Sequence, residues 1–306
     1  MRGVIAYRMD GLGGRLMALG NGIRIARVLG VPCYFAWESF EHVAGVTDPR
    51  RLLDAERLDA AVKTGKLTFG FREFDARRIL YDGAKDVIDE AELAGADVLL
   101  CGLGRVQRLS GEADSLRLRG DLAAAMRAIA LAPALSRQAL AFAARHDPRP
   151  AIGVHVRRGD LVHYPVERER RRIVGLERYF AALDAVIGDA PLFLCTEDPK
   201  VIEAFDGRYP GRVLHYPTRS WDRDDPEALA EALIEMFLLS TTRFIVGGPS
   251  AFSRFAAARA AIPLAVLSES MSVERCIAIA TSVARTAELL WSRRRAAAAM
   301  ASAAGR

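Results

Sequence analysis

Short β-branched runs alternate with segments of helical period through both halves of this chain, and that alternation limits its fold more than any other feature. The strand-like runs of the first half are Val4 to Tyr7, Val31 to Ala36 and Ala96 to Cys101. Between them, Arg15 to Leu29 has apolar residues at 16, 19, 23 and 26, and Ala84 to Ala94 also reads as a helix. Leu122 to His146 reads as helical with a break at Pro133. The second half repeats the pattern, with strands at Ile152–Val156, Pro191–Cys195, Arg212–His215, Arg243–Val246 and Ile262–Leu267. Its helices are expected at Leu176–Val186, at Lys200–Phe205, from Pro226 to about Leu239, and from Ser253 onward. Strands that take turns with helices predict parallel sheets covered on both faces. Asp147-Pro-Arg-Pro150 separates the halves as a linker. The expected architecture is α/β, with two Rossmann-like domains facing a cleft. The expected boundaries are 1–147, 148–284 and a basic, alanine-rich tail at 285–306.

Bulk properties exclude several classes. With 306 residues, 51% apolar and 26% charged, the chain has the composition of a soluble globular protein with ample core. No apolar run reaches bilayer length, and the first residues lack a signal-peptide pattern, so a cytoplasmic location is expected. Cys33, Cys101, Cys195 and Cys276 are scattered in apolar contexts without metal-ligand spacing, which fits free thiols. Of the net charge of +5, nearly all lies in the tail, where Arg285, Arg293, Arg294, Arg295 and Arg306 oppose Glu288. The body is close to neutral, which argues against nucleic acid as a partner. The tail reads first as a solvated helical end, and second as a basic helix for peripheral contact with an anionic membrane.

Four segments carry residues suited to an anionic ligand. Ile152 to Val156 is followed at once by Arg157, Arg158 and Asp160, which places fixed positive charge at a strand's carboxyl end, where open α/β sheets bind ligands. Two adjacent guanidiniums suit a diphosphate, because each offers planar bidentate donors; the plainer account is a solvated strand end bridged to Asp160. On a continuing strand, His155 and Arg157 share one side, and Arg158 and Asp160 the other. Thr196-Glu197-Asp198 ends the next strand, and its carboxylates suit a base edge, ribose hydroxyls or an arginine; Asp198 before Pro199 equally suits a helix cap. Ser250-Ala-Phe-Ser253 follows a strand and a glycine pair, so its hydroxyls either face phosphate or cap the next helix. Gly11, Gly13 and Gly14 form a glycine-rich turn that is neither a dinucleotide fingerprint nor a Walker A loop. Asp222-Arg-Asp224 has the spacing of a metal-binding Asp-x-Asp pair but reads as a solvated turn.

In chain order, the glycine-rich turn, the arginine segment, the acidic turn and the serine segment resemble the fucosyltransferase superfamily of bacterial α1,2-, rhizobial nodulation and core α1,6-fucosyltransferases. His155-Val-Arg157-Arg158-Gly-Asp160 is similar to that family's His-x-Arg-Arg-x-Asp motif. Gly11-Leu-Gly13-Gly14, Leu192 to Pro199, and Glu235 through Ser253 are similar to its opening loop, acidic turn and last motif. Gly14 stands where the family has Asn, and Leu161 where core α1,6 enzymes place Lys. The resemblance implies a GT-B arrangement and an inverting transfer of fucose from GDP-fucose to a glycan or oligosaccharide hydroxyl. It implies no cofactor and no metal. Arg157 or Arg158 then holds the diphosphate, Glu197, Asp198 and Glu235 lie near the guanosine, and Ser250 lies near the phosphates. His155, Asp160, Thr196, Ser253 and the three loop glycines complete the implied donor set. Candidates for the catalytic base are Glu167, Glu169, His163 and Asp10, although Glu167 and Glu169 stand in an arginine run that also reads as a solvated loop. The alternatives are a transferase using another nucleotide donor, such as a sulfotransferase, and a non-catalytic glycan- or nucleotide-binding protein.

Overall fold

The computed structural model describes residues 2–8, 11–37, 48–65, 79–81, 85–113, 116–158, 173–220, 222 and 225–304. The chain forms two compact units. The first takes Met1–Phe142, Pro217–Phe237 and Arg254–Ala261; the second takes Ala143–Tyr216, Leu238–Ser253 and Ile262–Arg306. The main break near residue 142 lies just before the proline-flanked linker, and two later stretches return to the first unit.

In the first unit, β1 (Gly3–Tyr7) lies between β2 (Cys33–Ala36) and β6 (Val98–Cys101), flanked by β3 (Lys63–Gly65) and β4 (Ile79–Tyr81). All four pairings are parallel. Helix α1 (Leu12–Leu29) connects β1 to β2 and is buried from Leu12 to Ala26. Its C-cap, Gly30, has φ +65, a left-handed conformation that glycine adopts without Cβ strain. Two polar side chains of this enclosed helix bond to the chain around it. Asn21 donates to the carbonyls of Arg105 at 2.7 Å and Leu103 at 3.3 Å and accepts the Gln107 N–H at 3.2 Å. Arg24, 1% exposed, pairs with Glu112 at 2.5 Å and donates to the Gln107 carbonyl at 2.7 Å. These bonds fasten the 103–112 stretch, including β7 (Arg108–Leu109), over α1.

Helices α2 (Ala55–Ala61), α4 (Leu116–Ala128) and α5 (Pro133–His146) complete the early chain. The expected helix at 84–94 is not formed. Val87–Ile88 is a strand, β5, paired with β7, and α3 spans only Glu90–Leu93. Asp89 explains the difference: its carboxylate accepts the Ala91 N–H at 2.9 Å, and an N-cap has extended backbone, so the helix cannot continue back through it.

The second unit carries five parallel strands in the order β10-β9-β8-β11-β12, namely Val213–Leu214, Leu192–Thr196, Ile152–Val156, Ile245–Gly247 and Leu264–Val266. Strand order runs outward from β8 in one direction and then restarts at β11, so a topological switch point lies between β8 and β11. Helices α6 (Leu176–Asp184) and α7 (Pro199–Arg208) follow β8 and β9. Helix α8 (Pro226–Leu239) starts as expected, with Asp225 accepting the Glu227 N–H at 2.8 Å and Pro226 in the first turn. Helix α9 (Ala251–Ala260) follows β11, and α10 (Val273–Ala304) packs on α6. Helix α10 runs through the expected tail boundary without a break, and Ala287 within it is buried. No helix among the described residues is long and apolar enough to cross a membrane, and all four cysteines are buried and free.

Candidate functional site

The switch point is built from strand ends whose register is fixed by backbone pairing. His155 lies opposite Cys195 on β9 and Gly247 on β11, and Val156 lies opposite Thr196. Beyond these residues the three strands release Arg157-Arg158, Glu197-Asp198 and Gly248-Pro249-Ser250 at the same carboxyl edge. In a doubly wound sheet the connections leave in opposite directions here and open a crevice for a ligand. Helix α9 starts at this edge, so its N-terminal dipole adds partial positive charge.

His155 is buried, and its ring stacks on Phe252 with centroids 4.6 Å apart and planes 11° apart. Burial, followed by the nearby Arg157 charge, lowers its pKa to about 3, so the imidazole is neutral at ordinary pH. Its Nδ1 is buried without a hydrogen-bond partner. The His155 carbonyl accepts from the Tyr179 hydroxyl at 3.1 Å. A Cβ on Gly248 would meet that hydroxyl at 3.0 Å, and one on Gly247 would meet Ser253 Oγ at 3.2 Å, so the glycine pair keeps the β11 end low against its neighbours.

Arg157 and Arg158 are both half-buried. The Arg158 backbone N–H donates to Glu197 Oε1 at 2.9 Å, which ties the ends of β8 and β9 together. Its side chain meets Asp198 loosely, at 4.0 Å, and its Nε is buried without a hydrogen-bond partner. A guanidinium held that loosely keeps donors for another anion. Asp198 also caps α7, accepting the Lys200 N–H at 3.0 Å, and its own N–H donates to Thr196 Oγ1 at 3.3 Å. The two roles weighed for Asp198 in the sequence therefore coexist.

Other expected site residues are placed differently. Strand β8 ends at Val156, so the pleat does not assign Arg157 and Arg158 to opposite faces as a longer strand would. Ser250 caps α9, and Ser253, inside the helix, bonds back to it. Ser250 Oγ accepts the Phe252 N–H at 3.3 Å, and Ser253 Oγ donates to the Ser250 carbonyl at 3.2 Å. Gly13 and Gly14 do not form a loop but lie buried inside the first turn of α1, and Gly11 is its N-cap. Glu235, 8% exposed on α8, belongs to the first unit, as do the three glycines, whereas the strand-end residues belong to the second. Asp160, His163, Glu167, Glu169, Asp10 and Asp224 lie outside the described residues. Among the described residues no group of three His, Cys, Asp or Glu side chains is arranged to hold a metal ion. Tyr179 and Phe252 were not singled out by the sequence. Phe252 lies within Ser250-Ala-Phe-Ser253, but nothing in that pattern announces a partner about 100 residues earlier.

No protein-family model and no curated protein matches the chain. Solved structures do. A NodZ α-1,6-fucosyltransferase soaked with GDP-fucose aligns with TM-score 0.56 at 20% identity, over 84% of this chain and 92% of that one. Fucosyltransferase NodZ from Bradyrhizobium aligns with TM-score 0.54 at 19% identity, over 83% and 92%. A point mutant of Arabidopsis thaliana FUT1 in complex with GDP aligns with TM-score 0.53 at 13% identity, over 89% and 72%. At these identities the likeness establishes a shared fold: mixed α/β with parallel sheets, as in these fucosyltransferases.

Proposed function

We propose that this chain is an inverting glycosyltransferase that moves fucose from GDP-fucose to a hydroxyl of a glycan or oligosaccharide, without a bound metal. One observation carries the reading: in a fold shared with fucosyltransferases, a loosely paired arginine stands at the switch point of the second unit, beside an acidic turn and a helix N-terminus.

The chemistry follows from charge development. Cleaving the bond between sugar and diphosphate builds negative charge on the leaving phosphate and positive charge on the sugar ring. Arg157 and Arg158 carry charge at any working pH and need no reorganisation when the leaving group forms. The α9 N-terminus adds to that stabilisation. Glu197 fixes the backbone at Arg158, and Asp198 supplies a distant counter-charge that orients the guanidinium without saturating it. His155 stays neutral, so it adds no phosphate-binding charge. Being buried, it backs the half-buried Phe252 ring, and that ring is the flat surface suited to positioning the nucleotide portion. Ser250 and Ser253 set the α9 entry, and Thr196 sets the turn before α7. In this reading the first unit takes the acceptor, and the base belongs to the group of Glu167, Glu169, His163 and Asp10.

The test combines binding and bond cleavage. Ligands that bind only the folded state raise the melting temperature. GDP and GDP-fucose should do so, equally with and without EDTA, while UDP and ADP should not. Incubation with GDP-fucose should release GDP, faster once a suitable acceptor glycan is added. A shift that requires UDP and a divalent ion would sink the proposal, and GDP binding without any GDP release from GDP-fucose would leave a binding protein.

A further inference from the structure

The two elements assigned to the leaving diphosphate stand on opposite banks of the switch point, and one buried hydroxyl touches both banks. Arg157 and Arg158 leave the end of β8, and α9 follows the end of β11 through Gly248 and Ser250. His155 opposite Gly247 is the last pair that joins these two strands. There the Gly247 carbonyl accepts the Leu267 N–H at 2.8 Å, so β11 is held on its other side. Past that pair the ladder no longer fixes one bank against the other. Tyr179, on α6 and 1% exposed, spans the gap. Its hydroxyl donates to the His155 carbonyl at 3.1 Å, and Gly248 comes so near that a Cβ there would meet the same oxygen at 3.0 Å. Burial pushes the pKa of the hydroxyl up, so it keeps its proton and its role as donor.

A core tyrosine that merely finds an acceptor is the plain account, and Tyr209 shows that case. Tyr209 caps the end of α7, and its hydroxyl donates to Asp184 at 2.8 Å and reaches the Phe180 carbonyl at 3.5 Å, both on α6. That bond ties helix to helix. Tyr179 differs in where its oxygen lies. Its ring packs in the apolar cluster of Val156, Val174 and Val246, a space that phenylalanine would fill equally. What the hydroxyl adds is contact with two strand ends. On the β8 side, the stretch from 155 to 158 is then held at both ends, the His155 carbonyl by Tyr179 and the Arg158 N–H by Glu197 at 2.9 Å. On the β11 side, Gly248 carries the turn into α9, its carbonyl accepting the Ser250 N–H at 2.8 Å.

Resting on the donor reading above, we propose that Tyr179 is a positioning residue for the transfer: its hydroxyl sets the distance between the arginine pair and the α9 N-terminus, so that both meet the diphosphate as its charge develops. It touches no reacting atom. A spacing fixed before the ligand arrives needs no reorganisation in the transition state. A small misplacement of the two banks therefore weakens stabilisation of the leaving group more than it weakens binding of the intact donor.

The test compares Tyr179→Phe with Tyr209→Phe in the whole chain. Each removes one buried hydroxyl and keeps the ring, so each should lower the melting temperature by only a few degrees. With GDP-fucose as substrate and GDP release as the readout, Tyr179→Phe should lower kcat about tenfold while KM moves by less than about threefold. Tyr209→Phe should leave both at their wild-type values. Hydrogen exchange of the free protein reads the tie without any ligand: the stretches 155–158 and 248–250 should exchange about tenfold faster in Tyr179→Phe and unchanged in Tyr209→Phe. Wild-type turnover in Tyr179→Phe, an equal fall in Tyr209→Phe, or a raised KM with kcat unchanged would overturn the proposal. A wild type that releases no GDP from GDP-fucose would sink the donor reading, and the transfer role with it. Faster exchange confined to Tyr179→Phe would then still support the tie between the strand ends, and unchanged exchange would sink the tie itself.

Discussion

The α1 region of the first unit and the strand ends of the second both hold arginine away from full solvent, and they treat it in opposite ways. Around α1, Arg24 is 1% exposed, its Nη1 is paired with Glu112 and its Nη2 donates to the Gln107 carbonyl, although its Nε is left without a partner. At the ends of β8 and β9, the Arg158 side chain is 34% exposed, comes no nearer than 4.0 Å to the Asp198 carboxylate, and likewise leaves Nε unbonded, while Glu197 takes only its backbone N–H. A side chain whose charge is met by a carboxylate at bonding distance inside the protein is there to hold the fold. One that the fold positions but does not satisfy is there for something that arrives. The first arrangement sits mid-helix beneath a stitched-down loop; the second sits where a parallel sheet exposes its carboxyl edge.

That contrast can be broken by substitution. Arg24→Met should have the largest effect, lowering stability by about 3 kcal/mol because Glu112 and the Gln107 carbonyl lose their partner; urea denaturation reads it, and nucleotide affinity of the remaining folded protein should be unchanged. Arg158→Ala should do the reverse. Turnover of GDP-fucose should fall about 100-fold, the scale for removing one preorganised donor to a developing anion, with the melting temperature held within a few degrees. A large stability loss for Arg158→Ala with turnover retained would erase the distinction. Gly153→Ala probes the floor beneath the site: its Cβ would meet Leu239 Cδ1 and Thr242 Oγ1 at 2.6 Å, so overpacking should cost about 1–3 kcal/mol.

Acid offers a finer probe. His155 is held neutral in the folded protein down to about pH 3, while an unfolded imidazole takes a proton near 6.5. The unfolded state therefore binds more protons below 6.5, and stability present above that value is lost as pH falls toward 3. The loss should be about 1 kcal/mol over the first pH unit below 6.5. In His155→Phe, which keeps a ring on Phe252, that part of the slope should vanish. Denaturant midpoints measured across this range check it.

Local chemistry made much of this legible from sequence. Gly30, the Asp225-Pro226 pair and the unbroken apolar run of β8 each specify their structure within a few residues. The Arg157-Arg158 pair could be found because its strand and its charge are contiguous. What was hidden depended on contacts distant in sequence. Val87–Ile88 becomes a strand only because Arg108–Leu109 pairs with it. Gly13 and Gly14 looked like a loop because glycine disfavours helix, yet α1 is so enclosed that packing overrides propensity. The Phe252 stack on His155 joins segments far apart in the chain, and no periodicity encodes such a meeting.

The return of 217–237 and 254–261 to the first unit has a consequence during synthesis. Although β1 through α5 emerge first, the first unit is not complete until residue 261 has left the ribosome. At about 5–20 residues per second, the interval after residue 142 lasts roughly ten seconds. Over that time the surface awaiting the two returning stretches is bare, while the strands of the second unit are still being made. A nascent chain halted near residue 200 should bind chaperones through its early half, and one released after residue 261 should not.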